Sequence, residues 1–350
     1  MRLPIFKAAL ISLVLFMASS QACFSFLSTP LHEESIFIVL SYSEQDLCGK
    51  PQLEGILQAI NEGPHKYLHI KKFYLHAKKL SETEVQKRAA IALGRIKKER
   101  PRMVITVDDA ALLRVGLTLN HMKDTFVVFS GINGDISTYN KLSPFMKDRK
   151  PTSNITGVLE HLFLNQQVDF LKIIGKWPCS LGILYSTDFM GEKGRRQITS
   201  RLMAAGAGKN IRYFAVSDMA DLDQKARLIN EDKKICAYFP LVLSVFDKSR
   251  GRRLSLDAIV PEITSRIHKL DIAVNKSFTK AGFFGGANVD MFHMGYQAGQ
   301  MANMLLDGVD IQRLPVEEAE RFQVIVNKKR AKELGVSLTP DVLCLVDELI

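Results

Sequence analysis

The sequence predicts an α/β fold with two similar lobes, each a doubly wound parallel sheet that carries helices on both faces. Three observations lead to this prediction. Short β-rich segments alternate with amphipathic helical segments from Ser35 onward. The β-rich segments are almost continuously apolar, which is typical of strands buried on both faces. A connection that contains Pro144, Pro151 and Gly157 interrupts the alternation and divides it into two series.

The two series predict the individual elements. A Ser-x-x-Glu capping box at Ser81 and Glu84 marks the start of the longest predicted helix. In the first series the predicted strands span residues 36–41, 67–74, 103–107 and 125–130, and the predicted helices span 51–61, 81–100 and 110–119. In the second series the predicted helices span 165–174, 194–205, 222–229 and 256–269, and the predicted strands span 180–185, 211–216, 234–239 and 271–274.

The first 22 residues have the order of a secretory signal peptide. Basic Arg2 and Lys7 precede an apolar run over 8–17, and Ser20-Gln21-Ala22 supplies the small residues of a cleavage site. A membrane anchor is the alternative, but the run is shorter than the roughly 20 residues that span a bilayer. We therefore expect a cleaved signal peptide and a periplasmic protein. A lipid anchor at Cys23 is a further alternative, although Ser20 stands where a lipobox usually has leucine.

The distribution of charge indicates what the surface contacts. The formal net charge is +10, but the basic residues occur as short pairs spread along the chain. A nucleic-acid interface would concentrate them in one stripe with interleaved aromatic residues. We therefore predict a solvated basic surface and no nucleic-acid partner.

Motifs of common enzyme classes are incomplete in this sequence. Gly208-Lys209 is followed by Asn210 instead of the Ser or Thr of a phosphate-binding loop, and neither G-x-G-x-x-G after the first strand nor G-x-S-x-G is present. His65 and His69 have the spacing of a helical metal pair, but they stand at the start of a strand and without HExxH. We expect no catalytic residue, no metal site and no cofactor.

The cysteines have no metal-binding spacing. Cys48, Cys179, Cys236 and Cys344 follow Cys23, and export permits a disulfide whose pairing the sequence leaves open. Cys236 lies within an apolar strand, which predicts a buried free thiol.

Polar clusters follow several predicted strands. In open α/β sheets, ligands bind beyond the carboxyl ends of the strands. Each such residue is by itself more typical of a helix cap than of a ligand contact, but together they predict one cleft between two lobes. The candidate ligand contacts are Ser41, Tyr42, Asp108, Ser130, Gly131, Asn133, Tyr185, Ser186, Asp188 and Asn275.

The C-terminal third carries the most specific motifs. AGFFGGANVD at 281–290, GYQAGQMANMLLDG at 295–308 and FQVIVNKKRAKELG at 322–335 occur in order, after FSGING at 129–134 and LGILY at 181–185. In these segments the chain resembles the family of ABC-transporter substrate-binding proteins that includes binders of tryptophan and other aromatic amino acids.

That resemblance implies the type I periplasmic-binding-protein fold, in which two lobes are joined by three crossing strands. The crossings are expected near 157–160, 285–288 and 322–326. Lobe 1 then comprises 35–157 and about 286–321, and lobe 2 comprises 158–285 and about 322–350. Gly285-Gly286 is suited to a hinge.

The resemblance also implies a function. It adds Asp290 to the ligand contacts, with Asp290 or Asp188 as the carboxylate for a ligand ammonium. Where the amino-acid binders carry an Asn-x-x-Glu-Ala-Asn-like stretch, this chain reads STDFM at 186–190, which leaves the ligand open. The expected function is a monomeric, non-catalytic protein that captures a small molecule for the membrane permease of an ABC transporter. Segments 130–144 and 242–253 resemble sensory relatives, so the alternative is a protein that presents ligand to a separate membrane histidine kinase or diguanylate cyclase.

Overall fold

The computed structural model describes residues 35–241, 245–247 and 251–350. The predicted signal peptide over 1–22 and Cys23 lie outside these residues, as does part of the 242–253 segment. Within the described residues no helix combines the length and the apolar character needed to cross a membrane.

The first lobe is built on a parallel sheet of six strands. They are β1 (Ser35–Leu40), β2 (His69–Tyr74), β3 (Met103–Val107), β4 (Phe126–Ile132), β7 (Ile155–Leu159) and β15 (Glu317–Glu318). Their order across the sheet is β2-β1-β3-β4-β7-β15, and every pair is parallel. A small antiparallel hairpin of β5 (Met146–Lys147) and β6 (Lys150–Pro151) precedes β7.

Helices cover both faces of this sheet. They are α1 (Gly49–Glu62), α2 (Glu82–Glu99), α3 (Asp109–Arg114), α4 (Ile136–Leu142) and α10 (Met291–Leu306). The predicted capping box at Ser81 and Glu84 is confirmed at the start of α2. Helices α1 and α10 pack closely because Gly295 has no Cβ, and a Cβ there would overlap the backbone of Gln52.

The second lobe has a parallel sheet of four strands, β8 (Ser180–Ser186), β9 (Ile211–Val216), β10 (Ile235–Leu241) and β13 (Leu270–Asp271), in the order β13-β10-β8-β9. A bridge from Ile272 to Gly285 continues it into a second group. In that group β14 (Gly285–Val289) is antiparallel to β16 (Phe322–Val326), which is parallel to β17 (Glu348–Leu349). Strands β11 (Phe246–Asp247) and β12 (Arg252–Arg253) form a separate hairpin.

The helices of the second lobe are α5 (Leu164–Ile173), α6 (Phe189–Ala204), α7 (Met219–Glu231), α8 (Leu256–Arg266), α9 (Lys276–Ala281), α11 (Lys328–Glu333) and α12 (Pro340–Leu343). A buried ion pair fixes the C-terminal segment to the sheet. Arg330 on α11 lies 2.6 Å from the carboxylate of Asp271, and both side chains are inaccessible to solvent or nearly so. Such a pair is strongly destabilising when one partner is removed, because the other charge stays buried.

The chain passes between the two sheets three times: after β7, along β14 and from β15 to β16. At the second passage Gly286 has φ +134°, and a Cβ there would overlap the side chain of Gln167. The Gln167 carbonyl oxygen accepts a hydrogen bond from the backbone N–H of Ala287 at 2.6 Å. The predicted fold class, two doubly wound lobes joined by three crossings, is confirmed, while the residue boundaries of the lobes stay predictions.

Two predicted helices differ from the structure by five residues at one end. The helix predicted over 110–119 ends at Arg114 and continues as a 3₁₀ turn over Gly116–Leu119. Gly116 begins this tighter turn, and it packs so closely against Leu112 that a Cβ would overlap the leucine side chain. The helix predicted to begin at 194 begins at Phe189, because Asp188 caps it.

The prediction of a free thiol at Cys236 is wrong. Cys236 forms a disulfide with Cys179, and their Cα atoms are 5.7 Å apart. The two cysteines are close enough to form the bond because β8 and β10 are neighbours in the sheet and Cys179 immediately precedes β8. Cys48 and Cys344 are free.

Candidate functional site

The carboxyl ends of β3 and β4 meet around the side chain of Gln52. Its amide nitrogen donates to Asp108 Oδ1 at 2.9 Å, and its amide oxygen accepts from Ser130 Oγ at 2.7 Å. Gly131 has φ +77°, and a Cβ there would overlap Gln52. The structure therefore brings Asp108, Ser130 and Gly131 of the predicted site together through one buried amide.

Ser41 lies at the same edge, but its hydroxyl group is hydrogen-bonded within the protein. Its hydroxyl donates to Val107 O at 2.7 Å and accepts from the Ala111 N–H at 2.8 Å. These bonds fasten the end of β1 to β3 and to α3. Tyr42 follows, with the Lys78 ammonium 3.9 Å from its ring centroid. Burial raises the pKa of the Tyr42 hydroxyl, and the Asp108 charge adds to the shift.

Two carboxyl groups, those of buried Asp108 and half-buried Glu160, line this edge of the first lobe. Asp108 is 6% exposed, and its Oδ2 has no hydrogen-bond partner within the described residues. Burial raises the pKa of Asp108 to about 8, with smaller additions from the charges of Glu160 and Asp109. Burial likewise raises the pKa of Glu160 to about 7, and Asp109 adds to it. A cation brought next to these groups would stabilise their ionised forms.

Asp109 is held in place by its neighbours. Its Oδ1 accepts from the backbone N–H of Gly134 at 3.0 Å and from the hydroxyl of Tyr139 in a short hydrogen bond. Gly134 lies between β4 and α4, and Tyr139 lies on α4, a helix that the sequence patterns did not predict. Gly134 and α4 are thereby joined to α3.

The second lobe contributes predicted residues that cap helices. Asp188 accepts from the Gly191 N–H at 2.8 Å and from Ser186 Oγ at 3.1 Å at the start of α6. Asn275 accepts from the Phe278 N–H at 3.3 Å at the start of α9. Tyr185 faces the guanidinium of a neighbouring arginine, Arg195, at 5.5 Å.

Asp290 caps the first helix after the second crossing. Its Oδ1 accepts from the backbone N–H of His293 at 2.9 Å, at the start of α10. Its own backbone N–H donates to Arg321 O at 3.1 Å on the returning chain. The structure thus gives this carboxylate a local partner.

Helix α6 reaches across to the first lobe. Lys193 Nζ donates to Asn133 Oδ1 at 3.2 Å, and the Gln197 amide donates to the backbone oxygen of Asn133. Arg201 lies 3.0 Å from His161 Nδ1 and 3.9 Å from the carboxylate of Glu318. These contacts connect the lobes along one side of the cleft.

The cleft encloses a cavity of about 150 Å³ that both lobes line. The polar side chains around it are Asn133, Glu160, Lys193, Gln197, Arg201 and Asn275, and the apolar ones are Leu162, Ile198, Leu241, Val274 and Phe278. A groove of about 760 Å³ continues along the first lobe and shares Asn133, Glu160, Lys193, Gln197 and Arg201 with it.

Of the predicted contacts, Asn133 and Asn275 line the small cavity, from opposite lobes. The other predicted contacts lie outside the lining that the structure describes. Sequence reasoning missed Glu160, Lys193, Gln197 and Arg201. Glu160 follows β7 as Asp108 follows β3, so the rule of strand ends could have found it. The three α6 residues lie beyond the first turn of a helix, where that rule gives no signal.

The described residues contain no group of three His, Cys, Asp or Glu side chains arranged to hold a metal ion. His65, considered above for a metal pair, instead lies 2.8 Å from Asp307 Oδ1. The cleft is thus made of carboxylates, carboxamides, cationic side chains and apolar groups.

Comparison with known proteins identifies the relatives of this chain. The family model for ABC transporter substrate binding proteins matches residues 49–350. A tyrosine-binding protein of Clostridioides difficile (strain R20291) is 18% identical over 199 residues, which are 53% of this chain and 51% of that protein. The chain thus spans about half the length of this curated relative.

Solved structures share the fold. The ABC domain from Streptococcus pneumoniae in complex with L-Trp has a TM-score of 0.62 and 20% identity, and the match covers 90% of this chain and 100% of that one. A ligand-free, open substrate binding protein with adhesive properties from Clostridium difficile has a TM-score of 0.70 and 14% identity, covering 90% and 98%. Since the family model spans both lobes and the cleft between them, the chain belongs to the ABC transporter substrate binding protein family.

Proposed function

We propose that this protein captures a small zwitterionic molecule between its lobes and delivers it to the membrane permease of an ABC transporter. The observation that carries the proposal is the opposition of charge across the small cavity. Glu160 lies on the first-lobe side, and Lys193 and Arg201 lie on the second-lobe side. A ligand with both an ammonium and a carboxylate group matches both walls.

The carboxyl groups of the first lobe support an ammonium group in the ligand. Glu160 lines the cavity, and burial raises its pKa to about 7. Burial raises the pKa of Asp108 to about 8, and this carboxyl group lies at the same edge of the first lobe but outside the lining. A neighbouring ammonium lowers such a pKa, so the ligand and the ionised carboxylates stabilise each other. Lys193 and the amides of Gln197 and Asn275 supply donors for a carboxylate.

The apolar part of the cavity supports a ligand with a hydrophobic group. Leu241 and Phe278 of the second lobe line it together with Leu162 and Ile198. Binding sites of this kind combine an apolar lining with a few polar groups that fix the orientation of the ligand. The tyrosine-binding relative and the L-Trp complex are consistent with an amino acid of this description.

Delivery to a permease requires that the ligand change the conformation of the protein. A ligand that contacts both lobes binds the closed form more tightly and so increases its population. We propose that the protein acts in the periplasm, without catalysis, and that the permease recognises the closed form. In a deletion strain, loss of ligand uptake supports the transport role, whereas intact uptake with loss of a ligand response supports the sensory alternative.

A thermal-shift screen tests the ligand class. The probes are L-tyrosine, L-tryptophan, L-lysine, glucose and succinate at 1 mM with the purified protein. We expect a zwitterion to raise the melting temperature and glucose and succinate to leave it unchanged, since a ligand that binds only the folded state stabilises it by mass action. Glu160→Gln should reduce the shift, and the exposed Glu231→Gln on α7 is the matched control. A shift with succinate alone would contradict the proposal.

A further inference from the structure

A third cavity lies at the opposite end of the second lobe from the ligand cleft. Its volume is about 760 Å³, and it is formed where the chain enters β8, β10 and β13. The cleft lies at the carboxyl ends of the strands, whereas this cavity lies at their amino ends. The lining comprises residues 175–180, 233–236 and 268–270 together with Asn210, Leu334 and Val336.

The charged residues that line this cavity are all basic. They are Lys176, Lys233, Lys234, His268 and Lys269, and no Asp or Glu occurs among its lining residues. None of the four lysines forms an ion pair with another residue in the described part of the chain. The neighbouring carboxylate of Asp232 is already paired, with Arg212 Nε at 3.1 Å. Four lysines therefore line one concave surface, and none of them is ion-paired within the described residues.

The walls of the cavity are fixed. The disulfide between Cys179 and Cys236 joins the starts of β8 and β10, and both cysteines line the cavity. Trp177 adds a large half-buried apolar wall, and Asn210 adds a carboxamide. Lys176 and Lys269 are half-buried, whereas Lys233 and Lys234 are exposed. Fixed walls reduce the ordering that a ligand has to impose on binding.

Helix dipoles explain part of this arrangement. The helices α5, α7 and α8 end just before the three loops of the cavity, and cations are favourable near helix C-termini. Stabilisation of helix C-termini by lysines requires neither a cavity nor the convergence of lysines from three loops. If the lysines stabilise the helix C-termini, their removal lowers the stability of the protein.

We propose that this cavity is a second binding site, separate from the cleft, for a small multivalent anion that carries phosphate groups. Lysine binds phosphate as a point charge with three donors. The volume lies within the range of about 300–1,000 Å³ that is usual for small-molecule sites. The proposal is independent of the ligand of the cleft.

Calorimetric titration with pyrophosphate tests the proposal at 0.15 M salt. We expect saturable binding at one site per chain, and we expect Lys176→Ala/Lys269→Ala to weaken it at least tenfold. The double variant Lys233→Ala/Lys234→Ala removes two exposed charges from the same cavity and should also weaken it. The matched control is Lys97→Ala/Lys98→Ala on α2, which removes the same charge from an exposed face of the other lobe. It should change the affinity less than twofold, because exposed charges are screened beyond about 8 Å at this salt concentration.

Three outcomes would overturn the proposal. They are the absence of saturable binding up to 1 mM pyrophosphate, equal weakening in the cavity and control variants, and cavity variants that melt at a lower temperature but bind pyrophosphate unchanged. The last outcome would mean that the lysines stabilise the helix C-termini and do not bind an anion.

Discussion

The ammonium group of Lys193 lies 3.2 Å from Oδ1 of Asn133, so a helix of the second lobe is hydrogen-bonded to the first lobe at the edge of the cleft. Both residues line the small cavity. The backbone oxygen of Asn133 also accepts from Gln197. Asn133 is therefore both a lining residue and a point of contact between the lobes, and a bound molecule would lie directly beside this contact.

The stability of the unliganded protein should fall as the pH rises from about 4 to 8. The folded-state pKa of Asp108 is raised from 3.8 to about 8 and that of Glu160 from 4.5 to about 7. In this pH range the folded chain holds protons that the unfolded chain has lost, so raising the pH favours unfolding. The melting temperature measured against pH checks the prediction.

Asp108→Asn should flatten that pH dependence, since it removes the group with the larger shift. The exposed Asp169→Asn on α5 is the control and should leave the slope unchanged. A melting temperature that rises between pH 5 and 8 in the wild-type protein would contradict the presence of protonated carboxyl groups at this edge of the first lobe.

Gly131→Ala should destabilise the first lobe by about 1–3 kcal/mol, because alanine at φ +77° is strained and its Cβ would overlap Gln52. The bridge from Gln52 to Asp108 and Ser130 would then be displaced. Gly94→Ala on α2 is the control, since a Cβ there meets no atom within 4 Å, and it should stabilise the protein by about 0.5–1 kcal/mol. Urea unfolding measures both changes, and equal effects would speak against the bridge.

Removal of the disulfide with Cys179→Ala/Cys236→Ala should lower the free energy of unfolding. The two cysteines are 57 residues apart in sequence, and for a loop of this length the chain-entropy estimate is about 4 kcal/mol. Cys344→Ala is the control, because that thiol is exposed and unpaired. Urea unfolding under non-reducing conditions gives the difference. An unchanged midpoint in the double variant would show that this disulfide does not stabilise the fold.

Asp290→Asn should leave ligand binding unchanged. The carboxylate caps α10 by accepting from the His293 N–H at 2.9 Å, and asparagine caps helices as well as aspartate does. Asp290→Ala should instead destabilise the protein by about 1 kcal/mol. The measurements are the melting temperature and the calorimetric affinity for the compound found by thermal shift. Loss of binding in Asp290→Asn would restore Asp290 to the site as the carboxylate for a ligand ammonium.

The fold could be predicted because its signals are local. The apolar segment 103–107 coincides with β3, and the capping box at Ser81 marks the start of α2. The end of α3 at Arg114 was not predicted, because the apolar pattern continues through the 3₁₀ turn over Gly116–Leu119. The disulfide depends on the order of strands in the sheet, which sequence spacing does not give.

The candidate site was less predictable than the fold. Residues after a strand reach its carboxyl end, and this rule led to Asn133 and Asn275. The same residue types also cap helices, and Asp188, Asn275 and Asp290 all do so in the structure. Lys193 and Gln197 enter the cleft because the two lobes face each other, a relationship that has no local sequence signal.

The central claim is that one ligand is held by both lobes at once. Calorimetric titration of Asn133→Ala and Asn275→Ser, with the compound found by thermal shift, tests it most directly. Serine retains a helix cap at 275 while removing the amide. We expect each variant to weaken binding about tenfold, since the two residues line the cavity from opposite lobes. Weakening in only one of them, or in neither, would mean that the ligand is not held between the lobes.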